Sequence, residues 1–503
     1  MQNLSKKFFK RTKIICTFGP AITSDILSIK DLEDPSKKEV VAEVYDRVQK
    51  LIEFGMNCAR LNFSHGTHEE QLVKIKIIRD VAAKLKKNIG IMLDTKGPEI
   101  RLGKFSQKKV EIRINSKVDI YTTHDVIGDS KHFSVNATSD GYNMINDVKV
   151  GSSILIDDGK LKLIVTEIDK EANIIHTIAE NTHEVSEKKR INLPDANYTM
   201  PFLSNKDKED IKFACDNKLD FIALSFVNNA DNVKQVREIL AQNNYPNIQI
   251  ISKIETRNAI NKLDEIIAVS DGIMIARGDL GLEIPYYEVP YWQKQIIRKC
   301  RFTGKTSIVA TQMLDSLERN IQPTRAEVTD VFFAVERGAD ATMLSGETAN
   351  GEFPVNSVEI MSNIDVKSEI LFDYERAINV YFQKTKFPKY AKRTAIKIAR
   401  NLLPGGEQIN PQFKYNALIL FSDDKLLIKA ISNIRPAATV ILITSEPELL
   451  KFYAIHYGIQ TYHVEDLNNA KKSLENVEAN IAGIVINKVP KSRSKYGNYY
   501  YSE

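Results

Sequence analysis

The sequence is poor in several things, and each shortage excludes a class of protein. Only four of its 503 residues are cysteine (Cys16, Cys58, Cys215 and Cys300), far apart and with no CxxC or Cys/His spacing. That rules out a disulfide frame or a zinc site built on them and fits buried thiols in a reducing compartment. No apolar run approaches the roughly 18 residues needed to span a membrane. Charge of one sign is also missing: 70 Lys and Arg stand against 65 Asp and Glu, a net +5 spread along the chain. A nucleic-acid footprint is therefore absent. There is no fixed-period repeat and no low-complexity tract. Lys6, Lys7, Lys10 and Arg11 surround two phenylalanines near the start, but a strand expected from Lys13 leaves no room for a signal h-region and cleavage site. A cytoplasmic protein is the expectation.

What is present can bury large cores, since 43% of residues are apolar and 27% charged. At about 150 residues per domain the length suggests three or so domains. The chain is organised around 248–279. There an apolar run ends in Lys253-Ile254-Glu255, and a second ends in Arg277-Gly278-Asp279. Lys253 and Glu255 alternate, so a strand would put both on one face. Such a pair is either a structural ion pair or a joint grip on a metal and an anionic substrate.

The pattern of a strand ending in chemistry recurs. Short β-rich runs occupy 12–17, 57–63, 89–94, 220–226, 248–255, 272–276, 306–312 and 341–345. Helix-length amphipathic stretches such as 67–87, 205–217, 230–243 and 324–337 lie between them. Alternating strand and helix implies parallel strands with right-handed crossovers, and eight units close a TIM barrel. The strand ends offer Arg60, Asn62, Ser64, Asp94, Thr95, Ser225, Lys253, Glu255, Asp279, Thr311 and Glu347. A polar connection at 22–38 reads as a surface insertion. Residues 98–199 have no good helix but many β runs (110–114, 118–122, 153–156, 161–168, 173–179) and the turn signal Asp157-Asp158-Gly159. They read as an all-β domain inserted over the active face, a position that suits a lid. Two further β runs, 416–421 and 439–444, flank a helix-like 425–434, and a third lies at 481–486. The fold class expected is thus α/β: a (β/α)8 TIM barrel with an inserted all-β lid domain and a C-terminal α/β domain. The partition is 1–97, 98–199, 200–354 and 355–503.

Several long motifs resemble pyruvate kinase. They include Lys13-Ile-Ile-Cys-Thr-Phe-Gly-Pro-Ala, Gly55-Met-Asn-Cys-Ala-Arg-Leu-Asn-Phe-Ser-His-Gly and Asp94-Thr-Lys-Gly-Pro-Glu-Ile-Arg. Ile251-Ser-Lys-Ile-Glu, Asp271-Gly-Ile-Met-Ile-Ala-Arg-Gly-Asp-Leu-Gly, Ala310-Thr-Gln-Met-Leu, Pro323-Thr-Arg-Ala-Glu and Met343-Leu-Ser-Gly-Glu-Thr-Ala follow in order. The resemblance implies phosphoryl transfer from phosphoenolpyruvate to ADP, giving pyruvate and ATP, in a homotetramer. It places Mg²⁺ (or Mn²⁺) on Glu255 and Asp279, and Lys253 against the transferring phosphoryl group and the enolate oxygen. The amides of Gly278 and Asp279 would hold the substrate carboxylate and Arg60 the phosphate. Arg60 taken alone reads equally as a barrel-mouth ion pair. Thr311 would be the proton donor or, since a hydroxyl is a poor acid, the residue that orders the donating water.

The same resemblance assigns K⁺ to Asn62, Ser64, Asp94 and Thr95. Glu99 stands where family members with glutamate resemble K⁺-dependent enzymes and those with lysine do not. Asn62, His65, Arg101 and Lys189 fall on the nucleotide side. His65 by itself reads as a hydrogen-bonding loop residue, and the run Lys188-Lys189-Arg190 as a solvated face. The chain departs from the family where Arg190 and Asp195 replace glycines and where Asn228 replaces the usual arginine. Asp423 and Asp424 replace a hydroxyl-rich phosphate loop, so activation by fructose bisphosphate is not expected. The basic, Tyr-rich tail (488–503) reads as an interface strand or a frayed end. Two rivals remain. One is an aldolase-type barrel lyase, against which Lys253, Arg101 and Lys189 argue. The other is a catalytically silent homologue.

Overall fold

The computed structural model describes residues 10–137, 141–194, 196, 198–403, 417–466 and 485–486. Asp195, the start of the run at 416–421, most of the run at 481–486 and the tail at 488–503 lie outside them. Eight strands are parallel and form a closed barrel: β1 (Lys13–Thr17), β2 (Met56–Asn62), β3 (Gly90–Asp94), β13 (Phe221–Leu224), β14 (Gln249–Ile254), β15 (Gly272–Ala276), β16 (Thr306–Ala310) and β17 (Ala341–Leu344). Their order is β1-β17-β16-β15-β14-β13-β3-β2. These strands are short, apolar and branched. All five residues of β1, β3, β15 and β16 are buried, as expected for parallel strands covered on both faces.

Between β3 and β13 the chain runs through β4 (Ile100–Leu102), β5 (Val110–Ile112), β6 (Lys117–Tyr121), β7 (His132–Ala137), β8 (Ser153–Ile156), β9 (Leu161–Asp169), β10 (Ile174–Ala179), β11 (His183–Val185) and β12 (Arg190–Asn192). Seven of these close a second barrel in the order β10-β6-β7-β4-β12-β8-β9, while β11 and β5 form a separate pair. Within 98–199 the expected β-rich character, without a good helix, holds, for the one helical element among the described residues there is a 3₁₀ turn at Met144–Asn146. Its interior includes Ile100, Ile120, Phe133, Ile156 and Leu163. Asp157, Asp158 and Gly159 all adopt positive φ, so the expected turn forms. The strands β4, β11 and β12, too short at three residues to show alternation, escaped sequence reading, and so did the six-residue β7.

By its contacts the chain divides into two compact units. One comprises 1–61, 66–92 and 294–503, and the other 62–65 and 93–293. In the first, β1 pairs with β17 (Ile14↔Thr342) and with β2 (Thr17↔Arg60). The same unit holds a parallel sheet, β20-β19-β18-β21, of β18 (Ala417–Phe421), β19 (Thr439–Thr444), β20 (Ile459–His463) and β21 (Val485–Ile486). In the second, β14 pairs with β13 (Ala223↔Ile251) and with β15 (Ile254↔Ile275).

The helices begin where capping residues dictate. Thr67 accepts from Glu70 N to start His68–Lys84. Capping boxes of Ser204 with Asp207 and of Thr324 with Glu327 start Asn205–Asp216 and Arg325–Glu336. Five of the eight barrel strands, by contrast, stop one or two residues sooner than the apolar runs do. Phe226, Thr311 and Gln312, expected inside strands, turn out of them at φ 55°, 67° and 52°. A branched or aromatic residue held left-handed costs of order 1–3 kcal/mol, and such strain gathers at functional sites.

One buried group in the first unit makes a stability prediction. His456 packs against Phe452 and Tyr453 with ring centroids 5.7 and 5.0 Å away. Burial, reinforced by nearby Lys429, pushes its pKa down from 6.5 to about 3. The folded chain therefore refuses a proton that the unfolded chain takes up below pH 6.5. Stability from this group is full above pH 6.5 and lost as pH falls from there through 3, with a slope approaching about 1.4 kcal/mol per pH unit. Thermal midpoints of His456→Leu measured from pH 7 to pH 4 should fall less steeply than wild type. Parallel curves would refute the assignment.

Candidate active site

The residues gathered at strand ends of the second unit form one connected polar cluster. Lys253, the fifth residue of β14, is buried, and its Nζ lies 3.0 Å from Asp94 Oδ1 and 3.1 Å from Glu255 Oε1. It also donates to Ser225 Oγ at 2.7 Å. Ser225 Oγ is 2.7 Å from the Thr95 carbonyl and 3.2 Å from Asp94 Oδ1, and Ser225 N donates to Thr95 Oγ1 at 3.1 Å. Asp94 and Glu255 are each 1% exposed, so both carboxylates face this ammonium with little water between them. Sequence reading grouped Ser225 with the strand ends but gave it no role. Here its hydroxyl ties Lys253 to the end of β3.

Glu255 sits just past β14, where Phe226 N donates to its Oε2 at 2.6 Å. That bond depends on the left-handed turn at Phe226, which no side-chain pattern announces. Glu255 Oε1 is buried and faces the Lys253 ammonium 3.1 Å away. Asp279 lies in the first turn of the helix Arg277–Glu283, which leaves directly from β15. Because β14 and β15 are paired through Ile254↔Ile275, the two acidic residues follow adjacent strand ends. Among the described residues no group of three or more His, Cys, Asp or Glu could hold a metal ion unaided. Two hard carboxylates that leave positions for substrate oxygens and water are nevertheless what Mg²⁺ accepts. The residues present fit the ion.

Other expected residues are placed as follows. Asn62 Oδ1 accepts from Ser64 N at 3.1 Å, and Phe63 N donates to the Asp94 carbonyl at 3.0 Å, which joins the ends of β2 and β3. His65 is exposed on the following turn. Arg101 makes a two-pronged contact with Glu99, Nε to Oε2 at 3.0 Å and Nη2 to Oε1 at 3.1 Å, and its Nη1 donates to the Lys188 carbonyl. Lys189 is held by Asp157 at 2.7 Å. Burial pushes the Asp157 carboxyl up, but hydrogen bonds from Lys189 and His183 outweigh it and hold the carboxyl below its usual range. Arg190, flagged only as a departure, donates through Nη2 to Asp279 Oδ1.

Arg60 and Thr311 belong to the first unit. Arg60 closes on Thr17 Oγ1 at 3.0 Å. Thr311 follows β16 directly, and its hydroxyl donates to the Ala310 carbonyl at 2.6 Å. Glu347 was grouped with the reactive strand ends. Instead its oxygens accept from Leu314 N and Ser345 N, so it braces two loops. Asp423 and Asp424 are likewise committed. Asp423 accepts from Thr444 Oγ1, Ser445 N and Ser445 Oγ. Asp424 caps the helix Lys425–Ile434. The four cysteines are buried and none is in a disulfide.

An eight-stranded parallel barrel with an ammonium, three carboxylates and hydroxyls at its strand ends defines a class: a barrel enzyme built to handle an anionic substrate with a metal ion. Comparison with known proteins then narrows it. The family model described as pyruvate kinase, barrel domain, matches residues 9–358. A pyruvate kinase of Mycoplasma pneumoniae is 50% identical over 93% of this chain and 94% of its own length. One of Mycoplasma genitalium is 47% identical over 93% of each. A crystal structure of a pyruvate kinase from Cryptosporidium parvum superposes with a TM-score of 0.82 at 35% identity, covering 94% of this chain and 91% of that one. The chain belongs to the pyruvate kinase family. It is a phosphotransferase, and its reaction is phosphoenolpyruvate plus ADP to pyruvate and ATP, in glycolysis. The lyase and silent-homologue readings fall away. The family generally needs a divalent metal and K⁺. No helix among the described residues is long and apolar enough to cross a membrane.

Proposed function

We propose that Lys253, Glu255 and Asp279 carry the chemistry of this reaction. The observation behind the proposal is the buried Lys253 ammonium held between Asp94 and Glu255, with Asp279 following the adjacent strand end. During transfer the bond between phosphorus and the enol oxygen breaks, and one forms to a terminal oxygen of ADP. Negative charge grows on the enol oxygen and spreads over the three phosphoryl oxygens. A preorganised ammonium opposes that charge at no further reorganisation cost. Mg²⁺ or Mn²⁺ on Glu255 and Asp279 would neutralise phosphate and enolate charge when bound. The amides of Gly278 and Asp279 take the substrate carboxylate and Arg60 takes the phosphate. Thr311 orders the water that protonates the enolate carbon. Its left-handed backbone supports a fixed orientation for that task.

Asn62, Ser64, Asp94 and Thr95 form the K⁺ set, supported by the bonds that join these residues at the ends of β2 and β3. Asn62, His65, Arg101 and Lys189 serve the nucleotide, and residues 98–199 act as the lid between barrel segments 1–97 and 200–354. Residues 355–503 form the interface and regulatory domain of a cytoplasmic homotetramer that needs no nucleic acid or membrane. Lys189 must release Asp157 to reach a phosphate, so its contribution depends on lid closure.

The cation set is tested by Glu99→Lys. Replacing K⁺ with tetramethylammonium should lower wild-type turnover at least tenfold, a change of about 1.4 kcal/mol. In Glu99→Lys an ammonium stands in for the missing ion, and turnover should keep most of its value in either buffer. Equal K⁺ dependence of both proteins would remove the set.

A further inference from the structure

Arg190 opens β12, and its cross-strand partner on β4 is another arginine, Arg101. Like charges directly opposite one another on a sheet repel. The two side chains resolve this by turning to different carboxylates. Arg101 takes Glu99, while Arg190 takes Asp279 from 89 residues further along the chain. The Arg190 guanidinium also lies 5.7 Å over the ring of Phe226, whose amide holds Glu255. Its Nε is buried without a hydrogen-bond partner. The side chain is therefore committed to the metal-binding corner of the site, 19% exposed against an Asp279 that is 20% exposed. It has left one of its own donors unmet to be there.

We propose that Arg190 is a built-in competitor of the divalent cation. Its guanidinium pairs with Asp279 Oδ1 and so competes with a metal ion for the charge of that carboxylate. A cation on the β-barrel insertion thereby tethers the insertion to the barrel strand ends until metal arrives, and it raises the metal concentration needed to fill the site. A charge-assisted bond shielded from water is among the stronger hydrogen bonds a protein makes. The tether should thus weaken metal binding by about tenfold or more. The inference rests on the reading of Asp279 as a metal ligand, and the test separates the two.

The measurement is Mn²⁺ binding to substrate-free protein, followed by loss of the free-ion electron paramagnetic resonance signal. Arg190→Gly and Arg190→Gln both remove the guanidinium, and the second keeps a side chain on β12 should the first fail to fold. Each should bind Mn²⁺ about tenfold more tightly than wild type, with Arg190→Lys in between. Asp279→Asn should weaken Mn²⁺ binding in every background. Unchanged affinity in both charge-removing variants, with Asp279→Asn still weakening binding, overturns the competitor and leaves the metal assignment intact. Unchanged binding in Asp279→Asn overturns both.

Discussion

Replacing Lys253 with methionine is expected to lower kcat by about a thousandfold or more, with little change in KM for ADP. The size follows from what the ammonium faces. Removing one preorganised donor from a developing oxyanion costs about 10²–10³ in kcat, and removing an arginine finger from a transferring phosphoryl group costs 10³–10⁵. Lys253 is in position to serve both charges. A thousandfold loss corresponds to about 4 kcal/mol of transition-state stabilisation. The variant also leaves Asp94 and Glu255 buried without their cation, and breaking such a pair typically costs 3–5 kcal/mol of stability. The two effects separate experimentally. If Lys253 were only a structural ion pair, the melting temperature would fall while folded protein kept its kcat. If it stabilises the transition state, kcat falls at temperatures where the variant is fully folded. Removing the ammonium beside Glu255 also removes a competing charge, so Mn²⁺ affinity should hold or rise.

Glu255→Gln is the complementary experiment, and there metal binding should fail together with turnover. The amide oxygen can still accept from Phe226 N, so the left-handed turn that ends β13 keeps its bond. What disappears is the negative charge of a buried carboxylate whose other oxygen faces the Lys253 ammonium. Mn²⁺ affinity should weaken at least tenfold and kcat at saturating Mg²⁺ should fall by about 10²–10³. Raising Mg²⁺ should recover part of the activity in Glu255→Gln and none in Lys253→Met. That contrast distinguishes a metal ligand from a group that acts on the substrate directly. Wild-type Mn²⁺ affinity in Glu255→Gln would contradict the assignment.

Much of this was legible in the sequence because the barrel's strands are short apolar runs punctuated by charge. The run at 272–276 coincides with β15, and 439–444 coincides with β19. Lys253 and Glu255 stood out because two ionisable groups close a mostly apolar run. What stayed hidden has three physical causes. Three-residue strands such as β4 and β12 carry no readable period, so the sequence could not say that Arg190 and Arg101 would face each other. Left-handed backbone at Phe226 and Thr311 is imposed by tertiary contacts that override residue preference. Pairing in space also gave different meanings to residues that looked alike in sequence. Glu347 and Glu255 both follow barrel strands, but Glu347 spends its oxygens on Leu314 and Ser345 amides while Glu255 turns one toward the Lys253 ammonium.

The most direct test of the account is pyruvate formation by the wild-type chain from phosphoenolpyruvate and ADP, in buffers that hold Mg²⁺ and K⁺, lack Mg²⁺, or replace K⁺ with tetramethylammonium. Turnover in the range of about 1–100 per second with both ions is expected, together with collapse when either is withdrawn. Folded protein that forms pyruvate equally well without Mg²⁺, or forms none in any buffer, would contradict the metal-assisted phosphoryl transfer assigned to Lys253, Glu255 and Asp279.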